Sequence, residues 1–140
     1  MPLDDSHSQF VIEEARELGF LECSIQKAQK ITEDKEAYVE WLEKGYHGKM
    51  QYLENNLDMR FNPDELMPGT KTIITVLLNY FPEKKMPISG NFRISKYAYG
   101  QDYHHIIKNK LRILAERCKT KFGDFNYRAF SDSAPILDRK

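Results

Sequence analysis

The sequence predicts an α/β (α+β) fold, a mixed β-sheet flanked by helices, and three observations predict it. Helical and strand patterns alternate along the chain, which favours a layered sandwich over a bundle. The run Thr72-Ile73-Ile74-Thr75-Val76-Leu77-Leu78-Asn79-Tyr80 is apolar on both faces and β-branched early, as expected of a central strand. Tyr103 to Phe122 carries Ile107, Leu111, Leu114, Cys118 and Phe122 on one stripe, the mark of an amphipathic helix.

The remaining elements follow in order. Ser6 is read as the cap of a first helix through about Leu18, with Phe10, Val11, Ala15 and Leu18 on one face and Gly19 as its stop. Phe20 to Ala28 alternates weakly and is read as a short strand. Thr32 with Lys35-Glu36 opens a helix ending near Gly45 that carries Ala37, Tyr38, Trp41 and Leu42. Gly45-Tyr46-His47-Gly48 is a turn, and Met50 to Asn55 a short helix. Pro63 and Pro68-Gly69 bracket a loop around Asp64-Glu65-Leu66-Met67. Glu83 to Gly90 is a polar connection, Phe92 to Tyr99 a second strand, and Phe125 to Phe130 a third, after the turn at Gly123-Asp124.

Composition bounds the function. The 140 residues suffice for one domain, 1–140, with a real core. At 41% hydrophobic, 30% charged and 12% aromatic, the chain is globular rather than disordered. Lys+Arg and Asp+Glu balance at 21 each, so net charge points to no polyanionic partner. The two cysteines, Cys23 and Cys118, form no CxxC and no cluster spacing, and such isolated thiols suit a reducing compartment. Met1-Pro2-Leu3-Asp4-Asp5-Ser6 lacks the pattern of a signal peptide, and no apolar stretch approaches the roughly 20 residues of a membrane span. A cytoplasmic protein without a membrane partner is therefore expected.

Several segments could carry chemistry. The glycines of Gly45-Tyr46-His47-Gly48-Lys49-Met50 permit tight turning and close ligand approach, or simply end a helix. Arg60, read as a loop residue, has the planar fork that recognises phosphate, carboxylate or amide oxygen, or it is solvated. Arg93 to His104 packs Tyr97, Tyr99 and Tyr103 with Gly100, Asp102 and His104 between strand and helix, where α/β proteins place ligands. Tyrosines suit a large planar cofactor or a nucleobase, while Asp102 serves equally as a helix cap. Asp132 has two readings that demand opposite pKa shifts: a cap for the Ser133-Ala134-Pro135 turn, or a general acid that keeps its proton near neutral pH. Pro135 lacks an N–H, which favours Ser133 as that cap and leaves Asp132 for other work. The lysines and arginines of 103–122 form the chain's basic concentration, a solvated face or a weak phosphate-backbone site.

Taken together these pieces resemble the epoxyqueuosine reductases. Leu18-Gly19-Phe20, the run from Trp41 to Leu53, Arg60 with Pro63, Leu66-Met67-Pro68-Gly69, Leu78-Asn79-Tyr80-Phe81-Pro82, Lys96 to His104 and Asp132-Ser133-Ala134-Pro135 occur in that family's order and at similar spacing. The resemblance implies reduction of epoxyqueuosine to queuosine in tRNA, with cobalamin and two 4Fe–4S clusters as cofactors. It implies Asp132 as proton donor, Arg60, Ser95 and Asp132 in contact with cobalamin, Tyr97 and Tyr99 in the cofactor cradle, and Asp138 near the tRNA. It also implies a fold akin to cobalamin-processing and nitroreductase-like proteins, and a monomer when full length. Family members continue into a ferredoxin-like domain whose cysteine runs ligate the clusters; none occurs here, so this chain is expected to be an amino-terminal part, inactive by itself. Two other readings stand beside this one: a cobalamin-handling or flavin-binding module, and a related cobalamin and iron–sulfur reductase acting on another substrate.

Overall fold

The computed structural model describes residues 4–81, 94–98 and 100–132. Helices and strands occur in the order α1 (Asp5–Glu17), β1 (Glu22–Lys27), α2 (Lys35–Glu43), α3 (Leu57–Phe61), α4 (Pro63–Leu66), β2 (Thr72–Leu77) and α5 (Tyr103–Phe122), with 3₁₀ turns at Gln51–Glu54 and Lys96–Ala98. The α/β class is therefore as expected. β1 and β2 pair with each other. Leu21 N–H donates to Leu77 O at 2.7 Å and Ala28 N–H to Lys71 O at 2.9 Å. Residue numbers run in opposite senses along the two strands, so the pair is antiparallel. The chain divides into two compact units, one built on Gln26–Ile73, the other on residues 4–25 and 74–132.

In the second unit, Val11, Ala15, Phe20, Leu114 and Cys118 form the core, with Phe10, Leu18, Cys23, Ile25, Val76, Leu78, Leu111 and Phe122 packed around it. Phe122 presents an edge contact to Phe10, with ring centroids 5.2 Å apart. Gly19 closes α1 at φ +87°, and a Cβ there would meet Lys110 Nζ at 3.1 Å. That ammonium caps the helix end by donating to Leu18 O. The first unit is centred on Phe61, fully buried, whose carbonyl accepts from Ile31 N–H at 2.8 Å and whose ring meets Tyr38 edge-on at 5.5 Å.

Several elements depart from expectation. The cap of α1 is Asp4, not Ser6: Asp4 Oδ1 accepts both His7 N–H and the Ser6 hydroxyl at 2.8 Å. The 64–67 segment is helical rather than a loop, because Asn62 Oδ1 caps Asp64 N–H and Pro63 takes the first helical position. The short helix expected over Met50 to Asn55 is present, as the 3₁₀ helix Gln51–Glu54. β2 ends at Leu77 and is half exposed, with β1 as its strand neighbour among the described residues, so it is not a doubly covered central strand there. Residues 94–98 include a 3₁₀ turn rather than a strand, and the rest of Phe92 to Tyr99 lies largely outside the described residues. Phe125 to Phe130 is not a strand among the described residues and is largely exposed.

Candidate functional site

The N-terminus of α5 and residue Asp132 build the site, all within the second unit. Asp102 caps α5 as expected, its Oδ1 accepting His104 N–H at 3.0 Å. The same oxygen lies 2.8 Å from His104 Nδ1. These bonds, with the His104 and His105 rings nearby, hold the Asp102 carboxyl below the ordinary aspartate range. His105 Nε2 lies 4.0 Å from the other Asp102 oxygen.

Asp132 joins this cluster from 29 residues beyond Tyr103 in the chain. Its Oδ2 accepts the Tyr103 hydroxyl and lies 3.4 Å from His104 Nε2. The Tyr103 and His104 rings stack with centroids 4.1 Å apart and planes at 26°. Asp132 sits at φ +60°, in the left-handed region that aspartate adopts more readily than most residues other than glycine. Its side chain remains 61% exposed. Four groups that accept, donate or hold protons thus run Asp102–His104–Asp132–Tyr103, with both carboxyls open to solvent.

The other expected site residues are placed as follows. Ser95 is exposed and precedes the Lys96–Ala98 turn, where Lys96 Nζ stands 3.6 Å from the Phe81 ring centroid. Tyr97 is in that turn; Tyr99 and Asp138 lie outside the described residues, as does Ser133. Arg60 belongs to the first unit and lies in the last turn of α3, not on a loop. Instead of being solvated, its Nε and Nη2 donate to Asn55 O at 3.2 Å and Tyr52 O at 3.1 Å. In the Gly45–Gly48 turn, both glycines have positive φ, and buried His47 bonds Glu54 Oε1 through Nε2 at 2.6 Å.

Two of the basic residues of α5 are paired with carboxylates, and a third bonds a carbonyl. Arg117 pairs with Glu14 at 2.5 Å and Glu17 at 3.3 Å, Lys119 with Asp124 at 3.0 Å, and Lys110 is spent on Leu18 O. Among the described residues, no group of three His, Cys, Asp or Glu is placed to hold a metal ion, and no helix is long and apolar enough to cross a membrane.

The fold and cluster define a chain of mixed helices and strands with an acid–base constellation at the start of its longest helix. The family model "Epoxyqueuosine reductase QueG, DUF1730" matches residues 60–133, just over half of the chain, and the chain belongs to that family. The epoxyqueuosine reductase of Cellulophaga algicola is 44% identical over 139 residues, covering 99% of this chain and 45% of its own length. That of Pseudomonas aeruginosa is 37% identical over 138 residues, covering 94% of this chain and 38% of its own. The chain thus spans less than half of the relatives it matches. The fold is that of the Streptococcus thermophilus epoxyqueuosine reductase, at TM-score 0.78, 21% identity and 94% coverage of this chain against 36% of that one. It is equally that of an epoxyqueuosine reductase solved with an epoxyqueuosine-modified tRNA stem loop, at TM-score 0.78 and 22% identity, with 95% and 36% coverage.

Proposed function

We propose that this chain is the amino-terminal part of an epoxyqueuosine reductase acting on tRNA in the cytoplasm, with Asp132 as its proton donor. The observation that carries the reading is the exposed Asp132 carboxyl, bonded by the Tyr103 hydroxyl, inside the family-matched segment 60–133. Removing an epoxide oxygen takes two electrons and two protons and releases water, so the reaction needs an acid beside the breaking C–O bond. Asp132 Oδ2 accepts the Tyr103 hydroxyl and lies 3.4 Å from His104 Nε2, and the carboxyl group is presented to solvent for that task.

The residues suit cobalamin in chemical type. The exposed Ser95 hydroxyl and Asp132 carboxyl can bond the amide groups at the rim of such a cofactor, with Tyr97 and Tyr99 nearby in sequence. Arg60, with two of its three guanidinium nitrogens on backbone carbonyls, would offer the remaining one. Bound cobalamin would supply the reducing electrons, fed by 4Fe–4S clusters held outside this chain. Asp138 would stand near the tRNA.

The test uses the intact protein loaded with cobalamin and supplied with a reductant and tRNA carrying epoxyqueuosine. Nucleoside mass spectrometry is expected to find queuosine. Flavin absorbance without cobalamin binding, or no conversion by the loaded protein, would overturn the reading.

A further inference from the structure

We propose that His104, oriented by Asp102, is a positioning residue that refills Asp132 with the second proton of the reaction, an inference that rests on Asp132 being the acid. Removing the epoxide oxygen consumes two protons, and one carboxyl group holds one. Among the described residues, the neighbour of Asp132 suited to hold another is His104, whose Nε2 stands 3.4 Å from Oδ2. Its other nitrogen is already committed: Asp102 Oδ1 lies 2.8 Å from Nδ1, so Nδ1 carries a proton toward Asp102 and Nε2 faces Asp132.

The balance closes on these atoms. Asp132 gives its proton to the epoxide oxygen as the C–O bond breaks and becomes a carboxylate; the two electrons are those that bound cobalamin would supply. Once Asp132 is ionised, His104 Nε2 takes a proton from solvent and hands it to that carboxylate, and the ring returns to the neutral Nδ1–H form that Asp102 stabilises. The refilled acid then protonates the departing hydroxide, which leaves as water. The ring is held for this transfer by its stack on Tyr103 at 4.1 Å, and Tyr103 secures the Asp132 carboxyl by its own hydroxyl. Among the described residues, the titratable groups beside His104 are Asp102, Tyr103 and Asp132, with His105 Nε2 4.0 Å from the other Asp102 oxygen.

The test compares His104→Asn, Asp102→Asn and Asp132→Asn in the intact protein. In the cofactor-free protein, ¹⁵N NMR is expected to find the Nδ1–H tautomer of neutral His104 and to see it lost in Asp102→Asn, where the asparagine still caps α5. In the loaded protein, His104→Asn is expected to slow conversion roughly 10- to 100-fold and to remove a limb from the pH–rate profile. An Nε2–H tautomer indifferent to Asp102→Asn, or a His104→Asn protein with unchanged rate and profile, would overturn the relay. If Asp132→Asn itself turns over normally, the acid assignment fails instead, so the two failures are distinguishable.

Discussion

At the scale of single residues, burial sets the chemistry of Cys118. Its thiol is pushed up to about 11 by desolvation first, with Glu14 and Cys23 adding to the effect; burial raises Cys23 as well. Both thiols should therefore react slowly with iodoacetamide at pH 8 in the folded protein and rapidly after denaturation, which a timed alkylation assay would show. For Cys118 the linkage runs one way. The unfolded thiol loses its proton in its ordinary range while the folded one keeps it, so stability falls as pH rises from about 9 to about 11. Gly19 makes a second residue-scale prediction. At φ +87°, with Lys110 Nζ 3.1 Å from the place a Cβ would take, Gly19→Ala should cost about 1–2 kcal/mol in denaturant unfolding.

At the scale of elements, α5 shows what a sequence makes readable. Its apolar stripe and the Asp102 cap lie within a few residues of one another, and the observed bounds, Tyr103–Phe122, are those expected. Protonation removes the acceptor charge of that cap. Because its own cap bonds hold Asp102 below the ordinary range, the stability it adds to α5 is present above about pH 4 and lost as pH falls through its depressed value. Asp102→Ala should lower the melting temperature at pH 7 and flatten the acid side of the stability curve. The departures have local causes. Asp4 and Ser6 are both good caps, and their mutual hydrogen bond decided between them. Pro63 is a loop signal and a first-turn helix residue alike, and Asn62 made it the latter. Phe125 to Phe130 alternates as a strand should, but a strand needs an edge to pair with, and no local pattern records one. In α3, Phe61→Ala should cost about 3–5 kcal/mol, measured by the same unfolding assay, because this fully buried ring centres its unit.

At the scale of the whole molecule, the candidate site was only half legible. Asp132 stood out because Pro135 withdrew a donor from the rival capping role, and Asp102 because it precedes a clear helix. Their connection through His104 and Tyr103 was not visible, since the contacts to Asp132 span 29 residues and depend on where the chain after α5 returns. Arg60 was singled out for a ligand, yet its fork is largely occupied by the carbonyls of Asn55 and Tyr52, a role that no residue pattern announces. Balanced net charge also concealed how Arg117 and Lys119 of α5 are spent on Glu14, Glu17 and Asp124.

The central claim is that Asp132 delivers a proton to the epoxide oxygen. Its most direct test is single-turnover conversion of epoxyqueuosine tRNA by the intact protein and its Asp132→Asn variant, each loaded with cobalamin and reduced. The account predicts that the variant still binds cobalamin, seen in its absorbance, and converts at least roughly 100-fold more slowly. Conversion at the unmodified rate would contradict it.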